Sequence, residues 1–553
     1  MWSSYWGVVF MSGGGKVSEV LARNQTPSCH CRVWLVALVF SVLIGAATAA
    51  ADVKLPALIG DNMILQQERQ VAIWGTADAG EQVTVTIGGQ KQTATADADG
   101  RWKVQLEPLK QGGPLEMTIA GKNTLTLHNV LVGEVWVCSG QSNMEFAVWN
   151  HGVFGGVMNF EQEVAESNYP MIHLFIVKKA VSAVPQTDVQ GQWVVTSPET
   201  AGNFSAVGYF FGRELHKAMG FPVGLIDTTW GGTEAEAWTS DAALSADPDL
   251  KVAADSWRQR VADYPNALDQ YAQSLRDWEK NAEAAESGGK VALTMPATPR
   301  DPRSNPWRES GLWNGMVAPL TPYAIAGTIW YQGESNAPFG YQYRKVFSTM
   351  IQQWRSSWGE GDFPFLFVQL ASFTIASDPQ NTWADLRESQ QKTLALPKTG
   401  MAVAIDIGES YDIHPKNKQE VGRRLALAAE GVAYGRNIEY QGPAYQFVRE
   451  EKGTLHVQFT HAGGGLVARG GSLTGFEIAG DDQQFYPADA KLKRNEVVLS
   501  SPKVSKPVAA RYAWANDPKC NLYNKAGLPA PPFRSDDWKL PTQGQIRTEA
   551  PKF

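Results

Sequence analysis

The run VWVCSGQSNMEF, residues 135–146, decides how the chain is read. Its first half is a continuous apolar strand, and its second half breaks into the small and amide residues Gly140-Gln141-Ser142-Asn143. Downstream the same alternation of apolar strand and helix continues. FSAVGYFFGRELHKAMG (204–220) reads as a helix, VGLIDTTW (223–230) as a strand and AGTIWYQG (326–333) as another. YRKVFSTMIQQWRSSW (343–358) is helical, PFLFVQL (364–370) extended, WADLRESQQKTLAL (383–396) helical and MAVAIDIG (401–408) extended. Such alternation implies an α/β fold, a parallel sheet with helices on both faces. Chemistry then collects at the carboxyl ends of the strands.

Outward from this core, assigned to 133–435, the texture changes on both sides. Residues 51–132 are β-like, and VTVTIGGQKQTATA (83–96) reads as two strands joined at Gly88-Gly89, a hairpin signal. A small N-terminal β-sandwich is expected there. Residues 436–553 turn β-like again, with LHVQFTHAGGGLVARGG, FEIAGDDQQFYPADAKL and EVVLS, and imply a β-rich C-terminal domain. An insertion at about 241–310 carries Trp257, Val261, Tyr264, Leu268, Tyr271, Leu275 and Trp278 at helical spacing, kinked or broken at Pro265. It reads as a packed seam, followed by a loop, TPRDPRSNP (298–306).

Residues 1–50 are expected to be a signal peptide with a long n-region. Arg32 precedes the apolar run Trp34 to Ile44, and Ala47-Thr48-Ala49 supplies the small residues of a cleavage site. The run is shorter than the roughly 20 residues of a membrane span. Export to the periplasm or outside the cell follows as an expectation, with no stable membrane insertion after cleavage.

The 553 residues carry a net charge of −7, are 43% apolar and include 20 Trp. That composition excludes wholesale disorder, and the absence of basic runs argues against nucleic-acid binding. Indole faces suit sugar rings, although tryptophan also simply fills cores. Cys138 and Cys520, outside the leader, have no metal-ligand spacing and read as free and buried.

Four strand ends carry chemistry. Ser142 can expose its hydroxyl at the sheet rim, or can merely cap a helix. Gly231-Gly232 in LIDTTWGGTEAEAW (225–238) leaves backbone N–H groups able to face an anion. TIWYQGESNA (328–337) brings Gln332, Glu334 and Asn336 together, amides suited to assist an oxyanion. In MAVAIDIGESYDIHPKNKQEVGRRLALAAEG (401–431), Asp406 closes a strand, and Asp412 and His414 sit in the loop before a helix from Asn417. Individually each has a bland reading. Together they supply nucleophile, base, acid and oxyanion donors at one edge of one sheet.

The segments SGQSNMEF, WGGTEAEAW, WYQGESN and DIHPKNKQEVGRRLAL resemble the sialate O-acetylesterase family, a carbohydrate-esterase branch of the SGNH hydrolases. The resemblance implies a flavodoxin-like, three-layer α/β/α core flanked by β-sandwich-like segments, acting on acetylated carbohydrate with no metal or other cofactor. It casts Ser142 as nucleophile and His414 as base. The N–H groups of Ser142 and Gly232 would form the oxyanion hole, with Gln332 or Asn336 as the amide donor. The family's acid lies three residues before the histidine, where this chain has Tyr411. Asp412 is then the first choice, Asp406 the fallback, and a dyad helped by a backbone carbonyl the third reading. Sialate and plant polysaccharides such as xylan or xyloglucan are the substrates in view. A lipid or thioester hydrolase of the same superfamily and an inactive carbohydrate-binding protein are the rival functions.

Overall fold

The run that ends at Gly140 belongs to the 17-residue strand Thr124–Gly140, which stands at the centre of a largely parallel sheet. Across that sheet the order is Thr399–Val403, Phe365–Gln369, Gly327–Tyr331, Thr124–Gly140, Val223–Thr229 and Tyr169–Ile176, with Trp193–Thr196 antiparallel at the edge. The computed structural model describes residues 52–149, 155–287, 294–378 and 380–549. The expected signal peptide, 1–50, lies outside the described residues. Ala51–Phe553 forms one compact unit.

The inner strands are apolar along their whole length because both faces are covered. Gly327 lies beside Trp136, and Trp330 beside Ser139. Trp136 and Trp330 therefore point to opposite faces of the sheet. Trp136 packs edge-on against Phe211 of the helix Ala206–Met219, which packs in turn against the helix Lys418–Val432. Trp330 packs against Phe347 and Trp354 of the helix Gly340–Trp358, whose neighbour is Thr382–Lys392. Trp136, Trp238, Trp330 and Trp354 are all fully buried. Much of the tryptophan excess is thus core.

From the central strand the chain first builds the side holding Tyr169–Ile176 and Val223–Thr229, then crosses to build Gly327–Tyr331 and beyond. The carboxyl end of the central strand lies where this direction reverses, the place where open α/β sheets form a crevice. Gly140 ends the strand there.

The expected boundary between 132 and 133 falls inside the central strand. Its first half pairs with Gly112–Ala120 and Ile64–Gln66, its second with the core strands. The N-terminal hairpin forms as the sequence predicts, Gln82–Ile87 pairing with Gln90–Thr95. Gly88 and Gly89 both take positive φ, 56° and 81°, which a two-residue hairpin turn requires. Beyond residue 438 the chain forms two four-stranded antiparallel sheets and a two-stranded ladder.

The insertion differs from its sequence reading. Pro248–Ser287 is one 40-residue helix that runs through Pro265 without a break. Trp257 is buried, but Leu268 is exposed, so the stripe is not a continuous seam. Part of its cover is the returning segment, through Tyr264 Oη to Pro299 O at 3.5 Å and Thr298 Oγ1 to Tyr271 Oη at 3.1 Å. Cys138 and Cys520 are free, the first buried and the second half-buried.

Gly140 has φ of +140°, and a Cβ there would stand 2.1 Å from the Tyr331 carbonyl oxygen. Gly140→Ala should therefore cost at least about 1–3 kcal/mol in backbone strain, measured as a lower urea midpoint at constant m. An unchanged midpoint would show that the two strand ends can part freely.

Candidate active site

Ser142 is the first residue of a one-turn helix, Ser142–Glu145. The cap position is Gln141, which makes no side-chain cap bond, so the Ser142 hydroxyl is not spent on capping. It lies 2.8 Å from His414 Nε2. A hydroxyl donating to an unprotonated imidazole nitrogen is the ground-state arrangement of an activated nucleophile.

His414 comes from the loop between the strand Thr399–Val403 and the helix Lys418–Val432, which Asn417 caps as expected by accepting from Glu420 N at 3.2 Å. The imidazole is held below its usual range, first by burial and then by the Lys418 charge, while Asp412 and Glu145 pull the other way. A depressed value keeps the ring unprotonated near neutrality, as a base must be.

The acid is less tightly engaged. Asp412 Oδ1 accepts the His414 backbone N–H at 2.9 Å and stands 3.9 Å from His414 Nδ1. This contact orients the loop more directly than it orients the ring. Tyr411, at the position three before the histidine, is 93% exposed and points away from any such role. Asp406, the fallback, is committed elsewhere: Arg424 grips both its oxygens at 2.6 and 2.8 Å, and Tyr523 donates to it at 2.9 Å.

The glycine pair divides its work. Gly231 N donates to Glu145 Oε2 at 2.5 Å, and a Cβ on Gly231 would stand 3.3 Å from Ser142 Cβ. Gly232 has φ of +73°, and its carbonyl accepts from Trp307 Nε1 at 2.6 Å. Among the described residues no acceptor faces the N–H of Ser142 or of Gly232. These two donors remain available beside the nucleophile.

Gln332 requires a correction. Its amide nitrogen donates to Thr233 O at 3.2 Å and Asn336 Oδ1 at 2.6 Å, and its carbonyl accepts from Tyr343 Oη at 2.9 Å. Both N–H bonds are used in a fully buried network, so Gln332 presents no donor to an oxyanion. Asn336 Oδ1 also accepts Ala235 N at 3.0 Å, and its Nδ2 donates to Glu236 Oε2 at 2.9 Å. The two amides brace the turn that follows Gly232.

Three further groups shape the site without having been singled out in the sequence. Asn143 Nδ2 donates to Ile413 O at 2.9 Å and Glu334 Oε1 at 2.5 Å, and its Oδ1 accepts from Lys418 Nζ at 2.5 Å. Lys418 is fully buried, which pulls its amine down to about 7. Its ammonium also faces the rings of Phe146 and Tyr331, at 4.8 and 5.4 Å. Glu145 pairs with Lys179 at 2.5 Å and helps line a cavity of about 350 Å³ with Trp149, Ile176, Lys178 and Asp227. No periodicity marks a lysine at a helix start as buried, so nothing in the sequence singles out Lys418. Among the tryptophans outside the core, Trp149 is exposed, while Trp230 and Trp307 are half-buried. Among the described residues no cluster of three or more His, Cys, Asp or Glu is arranged to hold a metal ion. None of the described helices is long and apolar enough to cross a membrane.

The sequence profile described as "Carbohydrate esterase, sialic acid-specific acetylesterase" matches residues 277–430, a span that holds His414 but not Ser142. The chain is 32% identical to the sialate O-acetylesterase of Rattus norvegicus over 552 residues, covering 90% of this chain and 97% of the relative. It is 29% identical to that of Homo sapiens, covering 89% and 94%. Among solved structures it is similar to a carbohydrate acetylesterase from Xanthomonas citri, at 37% identity and a TM-score of 0.74, covering 88% of this chain and 100% of that one. With near full-length similarity above 30% identity, the chain belongs to the sialate O-acetylesterase family of carbohydrate esterases.

Proposed function

We propose that the protein is an exported serine esterase that removes O-acetyl groups from carbohydrates through an acyl-enzyme, on a three-layer core of the SGNH type. The observation that carries the reading is the 2.8 Å contact of Ser142 Oγ with His414 Nε2 beside the unengaged Gly232 N–H. The family relationship narrows the ester to an acetyl group on a sugar.

Ser142 attacks the acetyl carbonyl while His414 takes its proton. The oxyanion that forms is met by the N–H groups of Ser142 and Gly232, donors fixed by the backbone before the reaction begins. His414 then protonates the departing sugar oxygen, and a water activated by the same ring releases acetate. Asp412 stabilises the transient imidazolium from a distance, as a partly exposed charge. The cavity lined by Glu145, at the far end of the one-turn helix that Ser142 begins, gives room for a sugar ring, with Trp149 on its wall. Sialate, xylan and xyloglucan esters all remain substrates of this reading.

Ser142→Ala should lower acetate release from acetylated xylo-oligosaccharides, xyloglucan or O-acetyl sialic acids by about 10⁶-fold. A variant that still releases acetate at the wild-type rate would remove Ser142 from the mechanism.

The two aspartates should separate cleanly. Asp412→Asn is expected to lower kcat about tenfold, the scale of one partly solvated charge interaction. Asp406→Asn should instead cost about 3 kcal/mol of stability, because Arg424 loses a buried partner, with kcat per folded molecule retained. Steady-state rates alongside denaturant unfolding distinguish the two, and a kcat loss confined to Asp406→Asn would make Asp406 the acid.

Lys418 offers a pH test. Its positive charge disfavours the protonated imidazole, so Lys418→Met should raise the His414 pKa. The acidic limb of kcat/KM then moves to higher pH, and activity at mildly acid pH falls. A limb that stays put or moves to lower pH would exclude this coupling.

A further inference from the structure

After its last strand, Phe533–Arg534, the chain returns to the helices beside the active site. Thr542 donates to the buried Asp385 carboxylate through both N, at 3.0 Å, and Oγ1, at 2.6 Å. Its Oγ1 also accepts Tyr341 N at 3.0 Å, and Arg547 N donates to Gln342 Oε1 at 3.1 Å. The backbone of this segment is thus moored to two helices of the core.

The Arg547 side chain goes further inward. It is buried, pairs with Glu234, lies 4.0 Å from Glu236 Oε1 and reaches Ser335 O at 3.5 Å. Its guanidinium covers the Phe339 ring at 5.0 Å. Burial draws the guanidinium down only to about 10, so it stays charged at neutral pH. Glu234 and Glu236 are buried as well, and both carboxylates lie within 4.0 Å of the guanidinium, the cation that a buried carboxylate needs as a partner. A planar, five-donor group can face two loops at once, which a lysine cannot.

Those two loops carry the reaction's geometry. Glu234 is two residues past Gly232, and Ala235 N is held by Asn336. Ser335 N and Gly333 N both donate to Gln141 Oε1 at 3.3 Å, and Gln141 immediately precedes Ser142. Arg547 therefore touches the element behind the Gly232 donor and the element behind the nucleophile together. We propose that Arg547 is a positioning residue for ester cleavage, fixing the Gly232 N–H and the Ser142 turn relative to each other from outside the substrate site. The inference rests on the Ser142–Gly232 reading above. Misplacing such a constellation by ~1 Å costs about 10²-fold in rate.

The test compares Arg547→Ala and Arg547→Lys with wild type and Ser142→Ala, on 4-nitrophenyl acetate and an acetylated xylo-oligosaccharide. Thr542 and Arg534 still moor the segment in each Arg547 variant, and circular dichroism reports the folded fraction. Arg547→Ala should lower kcat per folded molecule about 30–100-fold on both substrates, with KM changed less than about threefold. Added ethylguanidinium should restore at least about tenfold of the Arg547→Ala loss, while propylammonium should not. Arg547→Lys, which keeps the charge and loses the fork, should fall between wild type and alanine. Serine-dependent turnover unchanged in Arg547→Ala would overturn the positioning role alone. So would a loss matching the unfolded fraction, or a folded, slow variant that guanidinium does not rescue. Turnover that persists in Ser142→Ala would instead overturn the ester-cleavage reading beneath it.

Discussion

One side chain ties the site together: the amide of Asn143. It donates to Ile413 O in the histidine loop and to Glu334 in the third loop, and it accepts from Lys418 at the start of the helix that follows the histidine. All of its partners lie in elements far from it in sequence. Asn143 uses both its amide nitrogen and its amide oxygen in this buried network, while Glu334 Oε2 has no hydrogen-bond partner among the described residues, so the network is strong at the amide and costly at the carboxylate. The Ser142 turn and the His414 loop are therefore tied together by a side chain that touches neither Ser142 Oγ nor His414 Nε2. The approach of Gly140 to the Tyr331 carbonyl makes the arrangement possible, because only a residue without Cβ lets the two strand ends come so close.

The charges around this network form a graded set. Lys418, buried beneath the nucleophile turn, depresses the His414 imidazole, while Glu145 and Asp412 oppose that effect from the exposed side. Glu334 lies within reach of the Lys418 field, and burial holds its carboxyl above the ordinary range. The base is thus tuned by its surroundings as a whole rather than by one strongly bonded acid. Asp412, 3.9 Å from the ring, is one contributor to that field among several.

The sequence discloses the strand ends and hides what faces them. The core strands were legible because burial on both faces demands unbroken apolar runs, and the hairpin because Gly88-Gly89 meets a positive-φ requirement. Ser142 and His414, singled out at separate strand ends, lie 2.8 Å apart because both strands end at the same edge of the sheet. Gln332 was misread for a physical reason. An amide is equally fit to donate to a substrate or to a neighbouring turn, and only its three-dimensional partners decide. Asp406 was equally ambiguous until Arg424, eighteen residues on, was seen to take both its oxygens. At Pro265 the sequence allows a kink or a break, and the break does not occur: the missing amide hydrogen does not interrupt a 40-residue helix.

The division of labour among the tryptophans follows from the same logic. Trp136, Trp238, Trp330 and Trp354 fill both faces of the sheet, and their rigid rings fix how far apart the helices stand. Only where the sheet runs out do indoles emerge. Trp307 spends its N–H on the Gly232 carbonyl, which holds the oxyanion turn from the outer side, and Trp230 lies under the Lys179 ammonium at 5.3 Å. Trp149 alone of these is exposed, on the wall of the cavity that Glu145 lines. An indole left partly uncovered, in edge-to-face contact with Phe160 at 4.9 Å, has the flat apolar shape that suits a sugar ring. The composition of the whole chain gave only a weak hint of it, because most of the same residue type serves the scaffold.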